Sequence, residues 1–300
     1  MSQQQAAASP AQVFVVGCGR SGTTLIQSML AAHRQVLTFT ESHFFDKGFR
    51  RYRLWPVSRA RLGALVRRFA AENALPFDEP ELDAWCAELS AAPQPVAQRR
   101  LVALLDECTR RAGKRLWVEK TPAQIMYLPW MIRAAPDARF VHVVRRAQGV
   151  VPSLHKASRA WGRAKTWLEC AVQWRLALRV TWRHVGDQRH RVIFYEDVVA
   201  NPELEARRLV NWLSLPWDEA VVHEHHQRSR SLITASETWK ANNLHPGIDR
   251  ATLERTLDDL PWIARLVVRG GRGYDRLKAR VQALEPATGQ APSHPASERA

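Results

Sequence analysis

The chain has 300 residues, with 44 Lys and Arg against 29 Asp and Glu, for a formal charge of +15. At 46% hydrophobic and 24% charged residues it has the composition of a folded globular protein, which excludes wholesale disorder, collagen and coiled coil. A chain of this length forms one large domain or two small ones and buries most of its apolar surface.

The opening segment MSQQQAAASPAQ has no basic n-region and no long apolar stretch, so residues 1–10 are expected to be a disordered leader. No signal peptide and no membrane span are expected. The run VFVV at residues 13–16 reads as a buried strand, and residues 23–32 read as a helix with Leu25, Ile26, Met29 and Leu30 on one face. Residues 36–39 give a second short strand. From about residue 50 to 111 the pattern is helical only, punctuated by Pro56, Pro76, Pro80, Pro93 and Pro95, and residues 47–112 are expected to form a helical cap inserted into the domain. Further strands are expected at LWV (116–118), FVHVV (140–144) and RVIFY (191–195), each followed by a helical pattern. Strands alternating with helices imply an α/β fold with a parallel sheet covered on both faces. Residues 284–300 are rich in Pro, Ala and Ser and are expected to be a disordered tail. Cys18, Cys86, Cys108 and Cys170 lie far apart with no CxxC pair, which gives neither a zinc set nor a disulfide framework and points to a reducing, cytoplasmic compartment.

The junction between the first strand and helix is GCGRSGTT, residues 17–24. A Gly-rich turn that leaves a strand and opens a helix presents backbone N–H groups at the positive end of the helix dipole, which suits a phosphate or sulfate. Gly17 and Gly22 match the frame of a Walker A loop, yet Thr23 stands where that loop has its lysine. The cation is instead Arg20, beside Gly19, Ser21 and Gly22, with the hydroxyls of Thr23 and Thr24 at the helix start. A second cation, Arg145, ends the FVHVV strand, and Ser153 follows eight residues later; together they suit another phosphate.

RSGTT directly after a strand resembles the 5′-phosphosulfate loop of sulfotransferases that use 3′-phosphoadenosine 5′-phosphosulfate (PAPS), where a Lys or Arg precedes Ser-Gly-Thr-Thr. Arg145 and Ser153 resemble the 3′-phosphate site of that family, with Arg146 and Ala147 in place of its usual Asp-Pro. The segment VIFYEDVVANP resembles the family's YEDL…NP stretch and makes Tyr195 a purine-contacting candidate. TWKAN, residues 238–242, stands where these enzymes carry a C-terminal cofactor loop, so Lys240 becomes a candidate phosphate contact. The resemblance implies a P-loop-like three-layer fold over residues 11–283, a central parallel sheet flanked by helices, with the helical insertion as acceptor cap.

Sulfuryl transfer to an alcohol needs a base for the hydroxyl and cations for the charge on the leaving oxygen. ESHFFD, residues 41–46, lies just beyond the second strand, on the sheet end of the phosphate loop. It resembles the E-x-H-F-F-D stretch of the heparan sulfate 3-O-sulfotransferase branch, whose Glu is the general base. The 21 residues from Arg20 to Glu41 match the spacing in tyrosylprotein sulfotransferases. EKTP at 119–122 also resembles those branches and implies that Lys120 faces the transferred group, whereas Pro122 occupies the place of the catalytic His of small-molecule cytosolic sulfotransferases. The implied roles are Glu41 as base and Lys120 and Arg20 as cations, with His43 and Asp46 orienting the base or the acceptor; Trp161, in the looser stretch after Ser153, is a candidate for lining an acceptor groove. PAPS is then the donor, with adenosine 3′,5′-bisphosphate the product and a carbohydrate or small-metabolite hydroxyl the acceptor; no metal is needed.

Two competing readings use the same residues. An ATP-dependent kinase or NTPase would carry a degenerate Walker A loop, with Glu196 and Asp197 ending a Walker B strand. A basic nucleic-acid-binding module would account for the charge, but no recognition helix, zinc knuckle or RNP pattern is present, and no nucleic-acid partner is expected. His223, His225 and His226 in VVHEHHQR have helical spacing but no third ligand segment, so they read as a solvated helix face. Cys18 reads as a small buried filler, and Trp167 and Trp174, seven apart, as core.

Overall fold

The computed structural model describes residues 9–49, 59–160, 162–232, 254–269 and 273–284. The apolar runs form five parallel strands, β1 (Ala11–Gly17), β2 (Val36–Thr38), β3 (Leu116–Lys120), β4 (Arg139–Val144) and β5 (His190–Phe194), in the order β2-β3-β1-β4-β5. β1 pairs with β3 on one side, Val15 opposite Lys120, and with β4 on the other, Gly17 opposite Val143. The chain therefore changes direction across the sheet at β1, where the carboxyl ends of three strands open a crevice suited to a ligand.

Between and beyond the strands lie α1 (Thr23–Ala32), α2 (Phe44–Gly48), α3 (Arg59–Asn73), α4 (Glu79–Ala91), α5 (Gln94–Arg111), α6 (Leu128–Ala134), α7 (Ala147–Ala160) and α8 (Trp167–Arg183). After β5 follow α9 (Tyr195–Ala200), α10 (Pro202–Trp212), α11 (Ala220–His223), α12 (His225–Leu232), α13 (Trp262–Arg269) and α14 (Tyr274–Leu284). Alternation along β1 sends Phe14 and Val16 to one face and Val13 and Val15 to the other. The first pair joins Trp117, Phe140 and apolar residues of α3 to α8. The second joins Leu25, Ile26 and Leu30 of α1 with Val198, Leu209 and Val210 of α9 and α10. Phe14 anchors the larger core, stacked on Phe140 at 5.5 Å and edge-on to Trp117 at 5.0 Å. This is the three-layer α/β arrangement expected from the alternating pattern.

The proline-punctuated stretch forms α3, α4 and α5. Asp78 caps α4: its carboxylate accepts from Glu81 N at 2.8 Å, while Glu81 accepts from Asp78 N at 3.2 Å, and Pro80 sits in the first turn where its missing N–H costs nothing. Leu65, Val66 and Phe69 of α3 enter the same core as Phe14, with Phe69 against Phe44 at 4.8 Å. Helices α3 to α5 thus share the core of the sheet. The expected single helix over VVHEHHQR breaks at Glu224 into α11 and α12; His225 turns inward with Nδ1 2.7 Å from Val222 O, while His223 is exposed. Among the described residues no group of His, Cys, Asp and Glu is arranged to hold a metal, and no helix is long and apolar enough to cross a membrane.

Candidate active site

The loop after β1 closes tightly on the sheet. Ser21 N donates to Cys18 O at 3.1 Å, and Gly22 stands at the head of α1 with φ 94°, where its carbonyl accepts from Leu25 N and Ile26 N. Only glycine fits there, since a Cβ would lie 2.3 Å from Cδ2 of Tyr195. Thr23 and Thr24, both buried, make no hydrogen bond through backbone N–H or hydroxyl among the described residues. These unmet donors stand at a helix N-terminus with no side-chain cap. Cys18 is buried in the loop, and burial pushes its thiol up to about 12, so it acts as filler.

The second cationic cluster lies against the first. Nε of Arg20 donates to Ser153 Oγ at 3.1 Å, and Nη1 of Arg145 donates to the carbonyl of Arg20 at 3.2 Å. Arg145 is nearly buried; its carbonyl accepts from Trp174 Nε1 at 2.9 Å, and its guanidinium lies 4.0 Å from the ring centroid of Tyr195. Tyr195, the first residue of α9, touches both: the Arg145 guanidinium lies over its ring, and Gly22 packs against the Cδ2–Cε2 side. Arg20, with φ 73°, is one of four non-glycine residues in the left-handed region among the described residues; a second is His43, with φ 55°. Each such conformation costs about 1–3 kcal/mol and persists where the surroundings enforce it.

At the ends of β2 and β3, Nζ of Lys120 lies 2.5 Å from Oε1 of Glu41. Lys120 is 1% exposed and Glu41 about a fifth exposed, so the pair has one member inside the protein and one partly open to solvent. His43 continues the chain: its Nε2 is 3.7 Å from Glu41 Oε2, and its Nδ1 is 2.9 Å from Asp46 Oδ2. Thr40 before Glu41 is held by α3, with Asn73 Oδ1 accepting from Thr40 N at 2.8 Å and Glu72 accepting from the Thr40 hydroxyl. Gln27 of α1 holds the end of β2, donating to Thr38 Oγ1 and Phe39 O.

The structure thus brings Gly19, Arg20, Ser21, Gly22, Thr23, Thr24, Arg145, Ser153 and Tyr195 into one cluster, and Glu41, His43, Asp46 and Lys120 into a second at the neighbouring strand ends. Lys240 and Trp161 lie outside the described residues. Reading the sequence missed Glu119, Thr121, Ser42, Arg68 and Asn73, whose side chains hold the Glu41 segment. Of these, Ser42 lies inside ESHFFD and Glu119 and Thr121 inside EKTP, and a charged residue at the buried end of a strand was the signal. The Walker B reading of Glu196 and Asp197 is not favoured. Glu196 accepts from Arg146 N and Tyr274 OH, and Asp197 accepts from Lys278, which docks α14 on α9.

A model of the sulfotransferase family matches residues 10–219. A protein-tyrosine sulfotransferase of Drosophila melanogaster is 24% identical over 216 residues, covering 70% of this chain and 39% of the relative. Protein-tyrosine sulfotransferase 1 of Homo sapiens is 24% identical over 218 residues, covering 70% and 53%. The chain spans about half the length of the curated relatives it matches. Among solved structures, a sulfotransferase domain from the curacin biosynthetic pathway shares the fold, with TM-score 0.59 and 19% identity over 86% of this chain and 96% of that one. The sulfotransferase domain of the Synechococcus PCC 7002 olefin synthase does so with TM-score 0.54 and 19% identity over 94% and 98%. With a family model matched from before β1 to the start of α11, over the loop, both cationic clusters and the Glu41 segment, the chain belongs to the sulfotransferase family.

Proposed function

We propose that this chain is a PAPS-dependent O-sulfotransferase that uses Glu41 as its general base. The observation that carries the reading is the meeting of the two cationic clusters: Arg20 on Ser153 at 3.1 Å and Arg145 on Arg20 O at 3.2 Å form one anion-binding surface, one strand away from the Lys120–Glu41 pair. The donor set fits a nucleotide with phosphates at both ends. Thr23 and Thr24 offer N–H and hydroxyl donors for the 5′ end, and Arg145 with Ser153 offers a guanidinium and a hydroxyl for the 3′ end. PAPS supplies the sulfuryl group.

The remaining chemistry belongs to the chain. Glu41 takes the proton of the acceptor hydroxyl as the oxygen attacks sulfur. Lys120, held against Glu41 from inside the protein, places its ammonium group where charge develops on the leaving phosphate oxygen. Arg20 turns from Ser153 to the sulfuryl oxygens once Ser153 binds phosphate. His43, braced by Asp46, orients the carboxylate and lines the acceptor side. In this proposal residues 47–112 remain the acceptor cap, Lys240 a nucleotide-binding residue and Trp161 an acceptor-binding residue, as the sequence alone suggests. All four cysteines are buried thiols, which suits a reducing, cytoplasmic compartment.

The test is a pair of measurements on the full chain. Adenosine 3′,5′-bisphosphate should raise Tm in proportion to the logarithm of its concentration, and more than ATP with Mg²⁺ at equal concentration. Labelled PAPS should pass its sulfuryl group to a member of a panel of phenols, a tyrosine-containing peptide and simple saccharides. Greater stabilisation by Mg-ATP than by the bisphosphate would overturn the reading.

A further inference from the structure

Glu119 has no part in the reaction as set out above, yet it is a carboxyl group only 1% exposed and next to Lys120 on β3. Strand alternation sends neighbouring side chains to opposite sides. Two consecutive strand residues therefore grip two consecutive loop residues: Lys120 takes Glu41, and Glu119 takes Ser42. Oε1 of Glu119 accepts from Ser42 N at 3.3 Å, Ser42 Oγ at 2.7 Å and Thr121 Oγ1 at 2.6 Å. The hydroxyls extend the grip, since Ser42 Oγ accepts from Phe44 N and Gln124 Nε2, and Thr121 Oγ1 accepts from His43 N, each at 3.3 Å.

A neutral acceptor would make these bonds with a smaller desolvation cost than a carboxyl group. Burial raises the Glu119 carboxyl above its ordinary value, and its Oε2 has no partner among the described residues. Four of the seven buried polar atoms without a hydrogen-bond partner there belong to Asp46, Arg68, Glu119 and Gln124, with Arg68 Nε in an ion pair to Glu72 at 3.6 Å. Asp46 lies in the Glu41 segment, and the other three bond to Ser42. Unmet polar groups gathered on one segment mark a place held for use.

We infer that Glu119 is a positioning residue, pinning Ser42 and Thr121 so that Glu41 and His43 keep their places beside Lys120. This deepens the assignment of Glu41 as base and rests on it. The physical need is clear from the reaction: each turnover neutralises Glu41 and weakens its attraction to Lys120, whereas the bonds to Glu119 are independent of the charge on Glu41. A second clamp keeps the segment in register through that change.

The test compares wild type, Glu119→Ala, Glu119→Gln and Thr121→Val. Calorimetry gives Kd for adenosine 3′,5′-bisphosphate, and release of that product from PAPS gives kcat, with the best acceptor of the panel and with water alone as a slow acceptor. Glu119→Ala is expected to lose about 10–100-fold in kcat, as misplaced catalytic groups do, with Kd within about threefold of wild type. Glu119→Gln, whose amide oxygen accepts the same bonds, should return kcat to within about threefold of wild type. Thr121→Val, which deletes one of the three bonds, should lower kcat about 3–10-fold at unchanged Kd and decides the matter if the Ala variant does not fold. Wild-type kcat in Glu119→Ala or Thr121→Val, or equal losses in the folded Ala and Gln variants, would overturn the inference. A wild-type protein that neither binds the bisphosphate nor consumes PAPS would instead strike at the proposed function itself.

Discussion

Lys120 brings a full positive charge to the end of a fully buried strand, and a buried ammonium group needs a carboxylate beside it. Glu41 meets that need at 2.5 Å and is partly exposed, as the proposed role of base requires. Glu41→Gln keeps the shape and removes the proposed proton acceptor. It is expected to lower kcat by roughly 10²–10⁴ while Kd for the bisphosphate holds, and turnover at the wild-type rate would remove Glu41 from its role. Gly22 makes a separate case. A methyl group there would fall 2.3 Å from the Tyr195 ring, on a backbone with φ 94°. Gly22→Ala should destabilise by about 1–3 kcal/mol and weaken bisphosphate binding by at least about tenfold, read from urea unfolding and calorimetry. Unaltered affinity in the folded variant would separate the loop from nucleotide binding.

At the scale of elements, the junction of β4 and α7 carries the 3′-phosphate assignment, and its shape is set from both sides. Trp174 of α8 holds Arg145 O, while Glu196 of α9 accepts from Arg146 N and in turn from Tyr274 of α14. Arg145→Ala is expected to weaken adenosine 3′,5′-bisphosphate binding about 10–100-fold, the range for a charge-assisted phosphate contact, and to leave adenosine 5′-monophosphate within a few-fold. Equal losses for both nucleotides would contradict a 3′-specific role. Elements of this kind were legible in the sequence where a local rule governs them. Apolar runs gave all five strands, the spacing of Leu25, Ile26, Met29 and Leu30 gave α1, and glycine chemistry gave the loop. What was hidden depends on contacts far apart in the chain. Nothing local says that Asn73 closes on Thr40, that Glu119 reaches Ser42, or that Tyr274 answers Glu196, because each needs the fold before the partners meet. The break at Glu224 was missed for the same reason: α11 and α12 both pack on α1, far earlier in the chain.

For the whole molecule, stability in acid depends on three histidines at one edge of the larger core. His142 of β4 lies 2.9 Å from His190 of β5, Nε2 to Nδ1, and 3.1 Å from Thr181 of α8, while His184 stacks on His190 at 4.4 Å. In the contact between His142 and His190 one nitrogen donates and the other accepts, so a second proton would set two donors face to face. Burial holds His142 well below its ordinary value of 6.5 and lowers His184; His190 is lowered to about 4 by burial and by His184, against the opposing pull of Asp187. With folded values below unfolded ones, the unfolded chain binds more protons between pH 6.5 and about 4. Stability is therefore complete above pH 6.5 and falls as pH drops through that window, with His190 alone contributing roughly 2 kcal/mol of loss by pH 5. Glu81, Glu107 and Asp187, lowered by arginine partners and backbone donors, add their loss only below the ordinary carboxylate range. Half-buried Asp106 and fully buried Glu119 are raised and act in the opposite direction. Urea midpoints measured from pH 7.5 to 5 should fall, and His190→Gln should flatten the fall even if it starts from a lower stability. A level profile in the wild type would mean that the cluster is charged or open to water. Because His142 stands three residues before Arg145 on the strand that delivers it, bisphosphate affinity should decline over the same interval as the urea midpoint.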